Sequence, residues 1–343
     1  MKTVFVGLSG GVDSSVTAAL LRDAGYRVVG VYMKNWSKDI AGFECPWQED
    51  YLDAKRVAVQ LGIEFMLFDF EQQYFNKVVQ YMIDEYRIGR TPNPDIMCNQ
   101  EIKFHLFYDV ARDKGADMIA TGHYAVTKDG LLFKAHDSNK DQSYFLYRIS
   151  SQVLQNVLFP LGGYTKPEVR KIAQRYNLVT ATKKESMGIC FVGKVGIKEF
   201  LQQYVTTVQG PVIDQHGNTI GTHDGALFYT IGQRHGLGVV GGMPVYVVGK
   251  DMEQNIVYVT SRLDDERLWR QQLLLSSPHW ITSLPESHKT YQVRMRHRAP
   301  LVDAYYDKDT QQLSLKDPVR AITAGQSAVI YDDDMVLGGG IVT

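Results

Sequence analysis

Apolar residues recur along the chain with two periods, and the period changes once. In the first part, short runs rich in β-branched residues at positions 3–7, 27–33, 64–68 and 117–121 predict strands. Between them the spacing is helical. Residues 14–22 place Val16, Ala19 and Leu20 on one face and stop before Gly25, and residues 50–61 carry Ala54, Val57, Ala58 and Leu61 and stop at Gly62. A β-α-β-α order of this kind predicts an α/β unit with a Rossmann-like, mostly parallel sheet and helices on both faces. From about residue 205, short alternating runs take over, joined by turns such as His216-Gly217-Asn218. Positions 226–231, 244–248, 256–260, 290–296, 302–306, 312–315 and 327–331 predict strands there. The expected organisation is a catalytic α/β domain over residues 1–204, a small central β-rich domain over 205–262 and a C-terminal β-barrel over 263–343.

Composition narrows the class. A chain of 343 residues, 44% hydrophobic, can bury the cores of several domains. No stretch approaches the roughly 18 consecutive apolar residues of a membrane-spanning helix, and no signal-peptide layout precedes the first strand, so a cytoplasmic protein is expected. The cysteines, Cys45, Cys98 and Cys190, are too few for a disulfide framework and lack the spacing of a structural zinc site, so no metal-ligand set is predicted. The net charge is −1, so a polyanionic partner has to be held by a local patch.

The first candidate for chemistry is Gly7-Leu8-Ser9-Gly10-Gly11-Val12-Asp13-Ser14, between the first strand and the first helix. Adjacent glycines let the backbone approach a ligand, and free N–H groups at a helix N-terminus favour phosphate. Asp13 or Ser14 would also serve as a plain helix cap. The GxxxxGK[ST] pattern of terminal phosphate transfer occurs nowhere. Gly236 to Gly241 fits GxGxxG, but a strand rather than a helix follows, which removes the dinucleotide reading. SGGxDS after a first strand resembles the loop of ATP pyrophosphatases, which implies adenylation.

The second candidate is the Pro-punctuated Thr91-Pro92-Asn93-Pro94-Asp95-Ile96-Met97-Cys98, which sets a carboxylate three residues before a thiol. Asp95 would equally serve as an Asx-turn acceptor beside Pro94. Cys190 follows Lys183 and Lys184, cations that favour thiolate. Taken singly, each cysteine reads as a small buried hydrophobe; Cys45 has no evident partner.

Read in order, SGGVDSS, TPNPDIMCNQEIKF, ATGHYA, DSNKDQSYFL, KKESMGICF, IGQRHGLG and AGQSAVIYDDDMVLGGG resemble the bacterial tRNA-specific 2-thiouridylases from end to end. The resemblance implies ATP-dependent 2-thiolation of the wobble uridine U34 in the tRNAs for Lys, Glu and Gln, with AMP and pyrophosphate released and Mg²⁺ expected with ATP. It implies that Gly7 to Ser14, Met33 and Gly122 bind ATP and that Cys190 carries sulfur as a persulfide. Cys98 is then nucleophile and resolving partner, with a transient Cys98–Cys190 disulfide, and Asp95 is the acid/base. Asn93, Pro94 and Asp95 would meet the target base, and His123, Lys140, Asp141, Gln142, Arg296, His297 and Gln326 the rest of the tRNA. The sulfur would come from a cysteine desulfurase or a sulfur-relay protein.

Arg294, Arg296 and Arg298 alternate along an expected strand, so their guanidinium groups would form a phosphate stripe on one face. Here the chain departs from the family pattern, carrying His297 and Ala299 where tyrosine and glutamine are expected. Lys166, Arg170, Lys171 and Arg175 form a basic helical face for RNA or for solvent. Two other classes fit parts of the pattern: an ATP pyrophosphatase acting on another substrate, such as a ligase, which has no use for paired cysteines, and an RNA-binding scaffold without chemistry.

Overall fold

The computed structural model describes residues 1–40, 44–184, 196–239 and 244–343. Cys190 therefore lies outside the described residues, as does any pairing it makes.

The first region is built on a five-stranded parallel sheet in the spatial order Glu64–Asp69, Arg27–Lys34, Thr3–Gly7, Met118–Ala120, Val157–Leu158. The central strand shows why its sequence is apolar throughout. Val4 and Val6 face a core shared with the helices Val12–Asp23, Trp47–Leu61 and Lys166–Arg175, while Phe5 faces a second core under the helices Gln80–Arg87 and Phe107–Asp113. Both faces are dry, so no position can be polar. The helix Lys166–Arg175 starts where Glu168 folds back to accept from the Thr165 N–H at 2.7 Å.

The middle region is a four-stranded sheet ordered Tyr246–Asp251, Ile256–Thr260, Gly210–Ile213, Thr219–His223, over a core that includes Val212, Val247, Val257 and Val259. Residues 226–228, within a predicted strand, form a single helical turn instead. Gly225 enters it at φ +139°, a conformation closed to other residues, and Ala226 and Leu227 are buried by turning inward rather than by alternating.

Six antiparallel strands close the C-terminal barrel: Trp269–Trp280, Gln312–Arg320, Val302–Asp307, Tyr291–Arg294, Ser327–Asp332 and Met335–Val342, the last pairing back onto the first. Leu273, Leu275, Val293, Tyr306, Leu313, Ile330 and Leu337 fill it. A hairpin from the first region, Val126–Lys128 and Leu131–Phe133, extends the same sheet by pairing Leu132 with Val336 and Phe133 with Met335. Among the described residues no helix is long and apolar enough to cross a membrane.

The stripe expected of Arg294, Arg296 and Arg298 is not present. The strand ends at Arg294, and Arg298 lies at φ +62°, which turns the chain before alternation can continue. Arg294 instead points inward and donates to Asp141 at 3.0 Å. Asp141 is 3% exposed and also accepts from the Ala135 and Ser143 N–H groups and the Ser143 hydroxyl, so its carboxylate is a buried joint between hairpin and barrel rather than a surface that tRNA reaches. Breaking such a pair strands the other charge. Asp141→Asn is expected to lower stability by about 3–5 kcal/mol, seen as an earlier urea transition, with part of the loss recovered when Arg294→Met removes the orphaned guanidinium.

Candidate active site

The glycine loop leaves the carboxyl edge of the parallel sheet, directly after the central strand Thr3–Gly7, and runs into the helix Val12–Asp23. Gly11 caps that helix in an extended conformation, leaving the first-turn N–H groups facing outward from the sheet edge. Hydroxyls set the shape of the loop. Ser14 Oγ accepts from the Ser9 N–H at 3.1 Å and donates to the Gly11 carbonyl at 3.1 Å, and Ser15 Oγ donates to the same carbonyl at 2.8 Å. Leu8 and Val12 are core residues, 1% and 4% exposed, so they contribute backbone only. Met33 lies against the strand end, where a Cβ on Gly7 would come within 2.9 Å of its methyl group.

Asp13 faces the mouth of the loop and is held on two sides. Lys166 Nζ donates to both carboxylate oxygens at 2.7 and 2.8 Å, and the Tyr124 hydroxyl donates to Oδ1 at 2.9 Å. Lys166 therefore does not belong to an RNA-facing helix surface. Arg170 is likewise spent on the Ala181 carbonyl at 2.7 Å, which leaves Lys171 and Arg175 of that set exposed. A second cation, Lys183, bridges Asp50 and Asp53 at 2.8 and 2.6 Å, on the helix whose Asp50 carbonyl packs beneath Gly10.

The thiol comes from another helix on the same edge. Asn93 Oδ1 accepts from the Ile96 N–H at 3.4 Å, Pro94 occupies the first helical turn, and the helix runs on through Cys98–Leu106 with a wider, i to i+5 turn. Cys98 is 1% exposed. Burial raises the half-buried Asp95 carboxyl above the usual carboxylate range, against the pull of the Lys103 ammonium. Lys103 Nζ also lies 3.5 Å from His123 Nε2. An ammonium has no acceptor, so Nε2 accepts and the ring proton sits on Nδ1, 2.7 Å from Thr121 Oγ1. Burial, reinforced by Lys103, holds His123 well below its ordinary range, and it is neutral.

Residues 121–123 connect the two clusters. A Cβ on Gly122 would stand 2.7 Å from the Ser14 nitrogen, so the chain here presses on the glycine loop while its neighbour His123 meets the helix of Cys98. The glycine loop and the start of the helix that carries Asp95 and Cys98 thus both lie at the carboxyl edge of the sheet, the usual ligand position of open α/β sheets.

Arg296 and Arg298 are exposed on the turn after the barrel strand. The ring of His297 packs 4.5 Å from Phe145 between centroids, and burial, with Arg298 and Arg294 nearby, lowers its pKa to about 4. It acts there as a neutral aromatic. Gln142 Oε1 accepts from the Tyr124 N–H at 3.0 Å and is used internally. Gln326 Nε2 donates to the carbonyls of Thr91 at 2.8 Å and Pro92 at 3.3 Å. Cys45 is half-buried beside the Trp36 carbonyl. The sequence assigns no role to Lys103 or Tyr124 and places Lys166 on a basic helical face rather than beside the glycine loop. For Lys166 a signal existed, because a phosphate cradle without its own lysine needs a cation from elsewhere.

The chain matches known domains along its length. Residues 2–194 match a tRNA methyl transferase HUP domain, 198–261 a tRNA methyl transferase PRC-barrel domain and 270–342 an aminomethyltransferase beta-barrel domain. It is 46% identical to a tRNA-specific 2-thiouridylase MnmA of Listeria monocytogenes over 349 aligned residues, covering 99% of this chain and 94% of that one. With the Neisseria meningitidis protein of the same name it shares 48% identity, covering 99% and 95%. A solved 4-thiouridine synthetase–RNA complex with bound ATP overlaps 59% of this chain and 50% of that one, with a TM-score of 0.37 and 18% identity. Identity at this level through all regions, and not through the nucleotide fold alone, makes the chain a member of the tRNA-specific 2-thiouridylase family.

Proposed function

We propose that the protein adenylates the C2 oxygen of the wobble uridine U34 in the tRNAs for Lys, Glu and Gln and replaces that oxygen with sulfur. The observation that carries this reading is the bridge at residues 121–123, which touches the glycine loop through Gly122 and the helix that follows Asp95 and Cys98 through His123. An adenylating loop and a buried thiol joined through one short segment fit a reaction that activates an oxygen and then displaces it.

In this scheme Gly7 to Ser14 cradle ATP with Mg²⁺, Met33 and Gly122 lie against the nucleoside, and Lys166 turns from Asp13 toward the phosphates. The Asp13 carboxylate would help to hold a bound Mg²⁺, which would neutralise charge on the phosphates. The uridine C2 oxygen attacks the α-phosphorus and pyrophosphate leaves. Asn93, Pro94 and Asp95 meet the base, with Asp95 moving the proton. The terminal sulfur of a Cys190 persulfide then attacks C2 and AMP departs. Cys98 attacks the inner sulfur of Cys190, which leaves sulfur on C2 and a Cys98–Cys190 disulfide that a dithiol reduces by two electrons. The persulfide is recharged by a cysteine desulfurase or a sulfur-relay protein. The catalytic region is assigned to residues 1–204, the central domain to 205–262, and a tRNA-binding barrel to 263–343, with Lys140, His123, Arg296 and His297 on the RNA path. A cytoplasmic setting, with thiols kept reduced, suits the cysteine chemistry.

Nucleoside mass spectrometry of unmodified tRNA-Glu incubated with the protein, ATP, Mg²⁺, a sulfur donor and reductant is expected to yield 2-thiouridine. Product is expected to vanish in Cys98→Ser and in Cys190→Ser while ATP binding persists. AMP formation with no thiolated base would move the substrate elsewhere, and survival of product in both cysteine variants would remove the persulfide scheme.

Calorimetric titration tests the assignment of Lys166. Losing a charged hydrogen-bonding group is worth about 1.5–3 kcal/mol, so Lys166→Ala is expected to weaken ATP·Mg²⁺ binding roughly 10- to 100-fold. Unchanged affinity would confine Lys166 to a structural pairing with Asp13.

A further inference from the structure

We infer that Gln326 is a positioning residue for the segment that carries Asp95 and Cys98, a role that rests on the thiolation reading and refines it. The segment is hard to anchor through its own backbone. Pro92 and Pro94 have no N–H, so between Thr91 and Asp95 the chain offers mainly carbonyl oxygens to a partner. The barrel supplies the matching donor. Gln326 Nε2 reaches the Thr91 carbonyl at 2.8 Å and the Pro92 carbonyl at 3.3 Å, while the Thr91 N–H donates to the Ala324 carbonyl at 2.9 Å.

The fit around this clamp is close. A Cβ on Gly325, which lies at φ +92°, would come within 2.9 Å of the Thr91 nitrogen, carbon and oxygen. The middle region joins the same residue, with Thr230 Oγ1 lying 3.1 Å from Thr91 Oγ1. On the barrel side the turn is braced. The Gly325 N–H donates to the Val342 carbonyl at 2.8 Å, the Val342 N–H returns to the Gln326 carbonyl at 2.8 Å, and Tyr144 and Tyr147 hold Ser327 at 2.9 and 3.0 Å. Farther along, the contact loosens, and a small cavity lined by Asn93, Met97, Tyr147, Arg148 and Ser327 separates helix from barrel.

The register of the helix is therefore set at residues 91–92 and passed forward through two residues of restricted φ to the Asn93 cap, Asp95 and Cys98. RNA held by the barrel then meets the carboxylate and the thiol at a fixed separation. The Gln326 amide nitrogen faces both carbonyls of this clamp, which gives the side chain a protein partner before any nucleic acid arrives.

Gln326→Ala and Gln326→Glu test this in the full chain. Glu keeps the size but sets a carboxylate against two carbonyl oxygens. Single-turnover thiolation is expected to fall roughly 100-fold, the scale of an ångström of misplacement, with tRNA-Glu affinity by filter binding changed less than about threefold. Cys98 is 1% exposed, so its alkylation by iodoacetamide without tRNA, followed by peptide mass spectrometry, reports opening of this segment. That rate is expected to rise at least about tenfold in both variants, more in Glu than in Ala, with the melting transition in place. Wild-type alkylation together with a loss confined to tRNA affinity would overturn the proposal and make Gln326 an RNA contact. If the wild-type protein thiolates no tRNA, the alkylation rates still decide the positioning role, so the two readings fail separately.

Discussion

The site depends on how closely the chain after the strand Met118–Ala120 approaches the first turn of the helix Val12–Asp23. At Gly122 that approach leaves no room for a Cβ beside the Ser14 nitrogen. Because no side chain intervenes, the residues around Gly122 fall at fixed stations. Thr121 orients the His123 ring, His123 meets Lys103 on the helix of Cys98, and Tyr124 reaches Asp13 in the glycine loop. One steric constraint thus brings the nucleotide cradle and the thiol to the same edge of the sheet.

Around this frame the charges are arranged in two local sets with opposite logic. Asp13 is paired directly with Lys166 and accepts from the Tyr124 hydroxyl, which holds an ammonium beside the loop where phosphates would arrive. Asp95 is treated differently. Burial disfavours its charge and Lys103 restores only part of it, while the neighbouring imidazole stays neutral. With a net charge of −1 the chain has no general attraction for nucleic acid, so a polyanion has to be held by local placement of charge.

The barrel is part of the active site's support and not an appendage. The hairpin Val126–Lys128 and Leu131–Phe133 leaves the catalytic region a few residues after His123 and becomes part of the barrel's sheet. The buried Asp141–Arg294 pair closes the same joint, with Tyr331 stacked on the guanidinium at 5.6 Å. A barrel tied in this way transmits position to the residues it touches, which is why the turn at residues 324–326 can act on a loop more than two hundred residues earlier in the chain, a separation of 235 for Gln326 and Thr91.

The sequence by itself determined the features that local pattern encodes. A strand buried on both faces must be apolar throughout, and a helix with one buried face must repeat its apolar residues every third or fourth position, so the parallel sheet and the helices Val12–Asp23 and Trp47–Leu61 were legible. The glycine loop and the ordered family motifs were legible for the same local reason. The short hairpin strands of residues 126–133 carry too few residues to show a period, and the strand Trp269–Trp280 is interrupted by bulges that break its alternation. Only the tertiary structure ended the arginine stripe at Arg294, turned that guanidinium inward to Asp141, and joined Asp13 to Lys166 across 153 residues. Periodicity reports whether a face is buried, whereas the partner of a charged side chain is chosen by packing between distant elements, and no local pattern records it.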